Sequence, residues 1–191
     1  MAKPKIGIIV GSTREGRFAD KPAQWIAERA KANGEFDVEI VDLRDFPLPF
    51  FDEQSSPAYV PSQAEGAKAW QDKIASLDGY IITAAEYNRS PTGVLKNALD
   101  YAYNEWNNKP VGFVGYGGVG GARAIEQLRL IAVELQMAPV RNAVHITWGD
   151  YMQVAQGEKQ LGDIAHLNEA ADGLLSQFTW WVKALTMARA A

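Results

Sequence analysis

The sequence contains no cysteine. That absence removes disulfides, thiolate metal sites and thiol nucleophiles together. Histidine is nearly as scarce, since His145 and His166 are the whole supply, and a histidine-rich metal site is excluded. No apolar run approaches the roughly 20 residues that a membrane span needs. The stretch Ile6-Gly7-Ile8-Ile9-Val10 is too short for a secretory signal core and has no cleavage site after it. A cytoplasmic location is expected. Basic residues never run longer than two together, and the formal net charge is -4. Nucleic acid and anionic membrane surfaces reward a basic face, so both are poor candidates for a partner. Two catalytic signatures are missing as well. There is no Gly-x-Ser-x-Gly elbow for a serine hydrolase, and no Gly-Lys-Ser/Thr ending of a P-loop.

What the chain does have is regular alternation. Its 191 residues suffice for one well-buried core and are few for two. No Pro/Gly/Ser-rich linker divides it and no internal repeat is visible, so residues 1–191 read as one domain. Five β-rich runs occur, at residues 5–10, 36–41, 80–83, 111–116 and 143–147. The first is almost continuously apolar, as a strand buried on both faces is. Helical periodicity fills the intervals. Ala23, Ile26, Ala27 and Ala30 share one face; Ala67, Trp70, Ile74 and Leu77 share another, with Ser62 and Glu65 spaced as a capping box. Leu95, Ala98, Leu99 and Ala102 form a third stripe, and Ile125, Leu128, Ala132 and Leu135 a fourth. A last helix is expected from about Gly162 onward, with Leu167, Ala171, Leu174, Phe178, Trp181 and Leu185 as its seam.

Strict β-α alternation predicts a parallel sheet covered by helices on both faces. Five strands suit the flavodoxin-like fold: α/β, three layers, a doubly wound parallel sheet of order 2-1-3-4-5. Ligands of such sheets sit outside the carboxyl ends of the strands, where the winding changes direction between strands one and three. That rule singles out loops 11–19, 84–91 and 115–121. A fourth loop, residues 47–61 with four prolines, is too long for a minimal connection.

The first loop reads Gly11-Ser12-Thr13-Arg14-Glu15-Gly16-Arg17. It offers backbone N–H groups, hydroxyls and two guanidinium groups at the start of a helix, a suitable place for phosphate; an ordinary polar turn is the plainer reading. The second, Glu86-Tyr87-Asn88-Arg89-Ser90-Pro91, gathers a carboxylate, a phenol, an amide and a hydroxyl. It fits either the edge of a planar heterocycle or a turn made by Asn88 and Ser90, with Ser90-Pro91 starting a helix. The third, Tyr116-Gly117-Gly118-Val119-Gly120-Gly121, lets backbone approach a ligand or a neighbouring element. It is no dinucleotide fingerprint, because it follows the fourth strand and no acidic residue ends the next. His145, inside the fifth strand, is expected to be a satisfied core residue, and His166 an exposed one.

Together these loops resemble the NADPH-dependent FMN reductase family, which includes flavodoxin-fold quinone, azo-dye and chromate reductases. The resemblance rests on Gly11-Ser12-Thr13-Arg14, on Glu86 to Pro91 with Leu95-Lys96-Asn97-Ala98-Leu99-Asp100, on Gly120-Gly121-Ala122-Arg123, and on Leu48-Pro49-Phe50-Phe51-Asp52-Glu53. It spans residues 5–144. The chain departs at Ala85, where many members have proline, and at Arg17, where many have serine.

The resemblance implies that Ser12, Arg14 and Arg17 hold the phosphate of FMN. Glu86, Tyr87, Asn88 and Arg89 would line the ribityl chain and isoalloxazine edge, with Ser90 beside them, and Gly117 and Gly118 would approach the ring. It further implies NADPH or NADH as electron donor, a quinone-like or other small acceptor, and ping-pong transfer with no protein nucleophile. Homodimers or homotetramers are expected, with Tyr103, Trp106 and the Trp180/Trp181 helix as contact surfaces. A flavodoxin-type electron carrier without turnover and a flavin-free binding module are the competing readings.

Overall fold

The computed structural model describes residues 3–191. Its strands are β1 (Lys5–Val10), β2 (Asp37–Asp42), β3 (Gly79–Ala85), β4 (Pro110–Tyr116) and β5 (Ala138–Ile146). All neighbours pair in parallel, in the order β2-β1-β3-β4-β5. The expected flavodoxin-like sheet is therefore the observed one. The helices are α1 (Asp20–Ala32), α2 (Ala67–Ala75), α3 (Gly93–Asp100), α4 (Ala122–Glu134), α5 (Trp148–Ala155) and α6 (Ala165–Arg189).

Side chains alternate across a strand, so each central strand feeds both layers of the core. Ile6, Ile8, Ile81, Val114 and Val144 pack toward α1 and α6. Ile9, Tyr80, Ile82, Val111 and Phe113 pack toward α2, α3 and α4. The second layer holds an edge-to-face aromatic chain, in which Trp106 lies 6.0 Å from Trp70 and 4.8 Å from Tyr80 between ring centroids. Trp106 is wholly buried there, which corrects its expected place on a contact surface. Trp180, by contrast, is 63% exposed.

Several boundaries move for identifiable reasons. β5 begins five residues before the expected 143, at Ala138. Its register against β4 shifts between Val111 and Phe113, and the polar Arg141 and Asn142 of this irregular edge strand hide its start. Arg129 of α4 donates to the carbonyls of Val140 and Arg141 at that irregularity. The Ser62/Glu65 capping box does not form. α2 starts instead after Gly66 at φ 80°, while the Ser62 hydroxyl donates to Glu53 at 2.6 Å and Glu53 also accepts from the Ala64 N–H at 3.0 Å. Along α6 the buried stripe runs through Leu175 and Val182, leaving Trp181 at its flank. His145 is exposed rather than interior, although its Nδ1 lies 3.0 Å from the Gly120 carbonyl. His166 is exposed, as expected.

α5 has no counterpart in the periodicity. Its start is marked by a reciprocal capping box between Thr147 and Asp150. Asp150 is nearly buried and accepts from both the N–H and the hydroxyl of Thr147, at 2.9 and 2.7 Å. Burial pushes its carboxyl up, but those hydrogen bonds, with the charge of His166, hold it below the usual carboxylate value.

The turn from β4 into α4 depends on glycine at Gly121, which has φ 70°. A Cβ there would sit 2.6 Å from the Tyr116 nitrogen and 2.8 Å from the Gly115 Cα. Both obstacles are backbone and cannot rotate away. Gly121→Ala is therefore expected to destabilise by about 2–4 kcal/mol, combining left-handed strain with overpacking. Gly93→Ala, with nothing within 4 Å of the new Cβ, should be neutral or gain a few tenths of a kcal/mol in the first turn of α3. Urea denaturation of the two variants measures the contrast.

Candidate active site

The carboxyl ends of β1, β3 and β4 open onto a cleft of about 360 Å³. The winding reverses here, because β1 has β2 on one side and β3 on the other. Hollows of about 440 and 560 Å³ lie elsewhere, but both are lined only by helix and connecting residues. Position and donor chemistry, rather than volume, mark the smaller cleft.

The loop after β1 is anchored at its first residue. Gly11 N–H donates to the Thr83 carbonyl at 3.0 Å, and a Cβ on Gly11 would come within 2.4 Å of that oxygen. The Thr92 hydroxyl donates to the Gly11 carbonyl at 2.6 Å and accepts from Leu95 N–H at 3.1 Å. It thereby caps α3, so the helix starts from Thr92 rather than from Ser90-Pro91. Ser12 is buried, its hydroxyl 3.1 Å from the Tyr87 phenol.

Arg17 does not face the cleft as a free cation. Its Nε donates to Asp20 at 3.0 Å; Nη1 donates to the Ser12 carbonyl at 2.5 Å and to Asp42 at 2.8 Å; Nη2 donates to Asp20 and Asp42. A guanidinium has five N–H donors, and all are committed to the protein. Only 3% of the side chain is exposed. In this arrangement Arg17, expected to hold phosphate, braces the loop from beneath. Arg44 braces it from outside, donating to the carbonyls of Arg14 at 2.6 Å and Thr13 at 3.4 Å. Arg14 is exposed, and its guanidinium has no hydrogen-bond partner among the described residues. The N–H groups of Ser12, Thr13, Glu15 and Gly16 likewise have no acceptor among the described residues.

The second loop is a tight turn made by backbone. Tyr87 and Ser90 exchange N–H···O bonds of 2.9 and 3.1 Å, and Asn88 and Arg89 stand at φ 50° and 72°, as in the primed hairpin turns. Gln127 of α4 holds the turn by accepting from the Ser90 hydroxyl at 2.8 Å and donating to the Arg89 carbonyl at 2.7 Å. The N–H groups of Asn88 and Arg89 have no acceptor among the described residues. Glu86 is committed differently. Its carboxylate accepts from the Arg123 N–H at 3.1 Å and pairs with the Arg123 guanidinium, which ties β3 to the positive end of α4. Gly117, where a Cβ would meet the Glu86 Cβ at 3.1 Å, allows the third loop to close against the second. Gly118 faces open space.

Four aromatic side chains line the cleft without a role in the sequence reading of the site: Phe18, Tyr116, Trp148 and Tyr151. Phe18 meets Tyr116 and Tyr151 edge to face, at 5.5 and 4.9 Å. Trp148 stacks on Tyr151 at 5.0 Å. Tyr116 is 8% exposed, and its hydroxyl is buried without a hydrogen-bond partner. The signal that could have found α5, and with it Trp148 and Tyr151, is Thr147-x-x-Asp150, a capping-box spacing.

The family model for NADPH-dependent FMN reductases matches residues 4–149. The chain belongs to that family. An NAD(P)H-dependent FMN reductase of Schizosaccharomyces pombe is 42% identical over 146 residues, covering 74% of this chain and 72% of its own. A 2-hydroxy-1,4-benzoquinone reductase of a Burkholderia species is 36% identical over 140 residues, 70% and 72% of the two chains. Among solved structures, the flavoenzyme NAD(P)H:(acceptor) oxidoreductase of Paracoccus denitrificans superposes with a TM-score of 0.74 at 22% identity, covering 95% and 98%. That likeness concerns the fold. The family match ends between Trp148 and Tyr151, so the aromatic wall on α5 lies at its limit.

In this member of the FMN reductase family the loop geometry rests on the Arg17–Asp42 pair. Burial pushes the Asp42 carboxyl up, and the hydrogen bonds from Arg17 and the Arg44 N–H, with the charge of both arginines, bring it below its usual value. A carboxyl whose folded pKa is depressed contributes stability that is complete above its unfolded pKa and lost as pH falls through the folded value. Asp42→Asn should therefore lower stability by roughly 1.5–3 kcal/mol at pH 7, the usual range for hydrogen bonds to charged groups. Thermal unfolding should show the gap from wild type narrowing as pH drops below about 4.

Proposed function

We propose that the protein is an NAD(P)H-dependent FMN oxidoreductase that reduces quinone-like and other small acceptors. The observation that carries this reading is the set of donors left unpaired around one cleft. These are the N–H groups of residues 12, 13, 15 and 16, the Arg14 guanidinium, the N–H groups of Asn88 and Arg89, and one buried phenol. The loop donors are open to an anionic ligand, and the buried phenol carries a cost that a ligand would remove. A phosphomonoester would satisfy the first group, and the carbonyl-bearing edge of a flavin would satisfy the turn.

On this reading Ser12 and Arg14 hold the FMN phosphate, while Arg17 shapes the loop that does so. Tyr87, Asn88 and Arg89 lie along the ribityl chain and the ring edge, Gly117 and Gly118 let the third loop approach the ring, and Glu86 and Ser90 support them through Arg123 and Gln127. When bound, FMN supplies reversible two-electron chemistry. The N–H groups of Asn88 and Arg89 offer fixed dipoles for negative charge developing at the ring edge. Gly118 and the exposed Trp148 leave one open mouth for donor and acceptor in turn, which supports a ping-pong order. No protein base is required, in keeping with a cleft that contains no histidine among its lining residues. Homo-oligomeric assembly belongs to the same proposal, and the exposed Trp180 supports it.

Purified protein is expected to be yellow, to be bleached by NADPH or NADH under anaerobic conditions, and to regain colour on addition of 1,4-benzoquinone. A colourless preparation that takes up no added FMN overturns the reading. A yellow protein that neither nucleotide reduces replaces the enzyme with an electron carrier. Arg14→Ala should weaken FMN binding roughly tenfold, as expected for one charge-assisted contact. Its melting temperature without flavin should stay unchanged, because Arg14 makes no side-chain contact that the fold needs.

A further inference from the structure

Tyr116 is the last residue of β4, and neither the motifs nor the family resemblance gives it a role. Its ring is packed edge to face against Phe18 at 5.5 Å. Phe18 directly follows Arg17 of the loop after β1, which brings the Tyr116 ring beside that loop. The side chain is more than nine-tenths buried and lines the cleft, yet its hydroxyl finds no partner among the described residues. The other hydroxyls of the cleft floor do find one: Ser12 and Tyr87 bond each other at 3.1 Å.

An unpartnered buried hydroxyl is a net cost to the fold, whereas phenylalanine would fill the same space without it. Burial, reinforced by Tyr87, pushes the phenol well above its ordinary value. The group therefore remains a neutral O–H donor through neutral and mildly alkaline pH. Ser12, Arg14 and Gly16 of the loop line the same cleft, a setting that collects anionic oxygens.

Resting on the functional reading above, we infer that Tyr116 is a cofactor-binding residue whose hydroxyl donates to the phosphate end of FMN. It completes the phosphate site from the β4 side. The fold tolerates the orphan hydroxyl in the flavin-free protein because the bound phosphomonoester satisfies it.

Two measurements on the full-length protein, with flavin removed, test this. In the first, FMN and riboflavin are titrated into wild type and Tyr116→Phe, following flavin fluorescence. The variant should bind FMN roughly 10- to 100-fold more weakly, as for one hydrogen bond to a charged group, with riboflavin affinity unchanged. In the second, thermal unfolding without flavin should show Tyr116→Phe melting higher by roughly 2–4 °C, the shift expected for about 1 kcal/mol in a chain of this size. Where riboflavin binds neither protein, weaker FMN binding together with the raised melting temperature is the supporting result. Equal FMN affinity, equal losses for FMN and riboflavin, or a lowered melting temperature overturns the inference. Wild-type protein that takes up no FMN removes the functional reading and this inference with it. FMN bound equally well by both proteins removes this inference alone.

Discussion

The Arg17 guanidinium commits every N–H it has to the protein, and the shape of the cleft follows from that commitment. Its acceptors come from three places: the Ser12 carbonyl in the loop, Asp20 at the start of α1, and Asp42 at the carboxyl end of β2. One planar group thereby fixes the loop to the helix it precedes and to the strand beside its own. A nearly buried cation is tolerable only when it is paired and fully hydrogen-bonded, and the two carboxylates meet that condition. With Arg17 below and Arg44 outside, the loop carbonyls are drawn toward the protein. Its N–H groups are left facing the other way. On the proposed reading, Arg17 and Arg44 shape the loop that would hold an anion, and Arg14 is the cation left free to meet it.

This explains where the sequence was legible and where it was not. β1 and β3 were plain because strands buried on both faces are apolar at nearly every position, and the stripe of α4 was plain because it repeats over several turns. Alternation indicated a parallel sheet, and the number of strands favoured the observed order. β5 was shortened because Arg141 and Asn142 stand at an irregularity of an edge strand, where neither burial nor alternation is required. α5 escaped because eight residues containing Gly149 are too few to display a helical period. Its only signature was the pair Thr147 and Asp150.

The site shows the same division. Loops 11–19, 84–91 and 115–121 are local features, and all three border the cleft as the switch-point rule requires. The roles of their side chains were not local. Whether Arg17 points at a ligand or into the protein depends on Asp42, 25 residues away on another strand. Glu86 is engaged by Arg123, 37 residues on. Tyr116 looked like any strand residue, since nothing in its neighbourhood reveals that its hydroxyl lacks a partner. A single sequence shows which groups are available near a site. Pairing in space decides which of them remain so.

Departures from ordinary folding rules occur beside the cleft at Asn88, Arg89 and Tyr116, and away from it at Asn108 and Gln136. Asn88 and Arg89 adopt left-handed backbone, which side-chain-bearing residues rarely do and which costs of order 1 kcal/mol or more each. The turn keeps this conformation because Gln127 and the Tyr87–Ser90 pair hold it from both sides. The Tyr116 hydroxyl is buried unpaired a few residues from the Glu86–Arg123 tie. Trp106 and Trp25 also bury an indole N–H without a partner among the described residues, but neither borders the cleft; Trp106 stands two residues from the left-handed Asn108. At the cleft, strain and unsatisfied donors occur together, on elements that are otherwise firmly braced. A rigid frame around unsatisfied groups is what pre-organisation for a ligand requires. The frame resists the relaxation that would pair those groups internally, and so keeps them available to the ligand that pairs them.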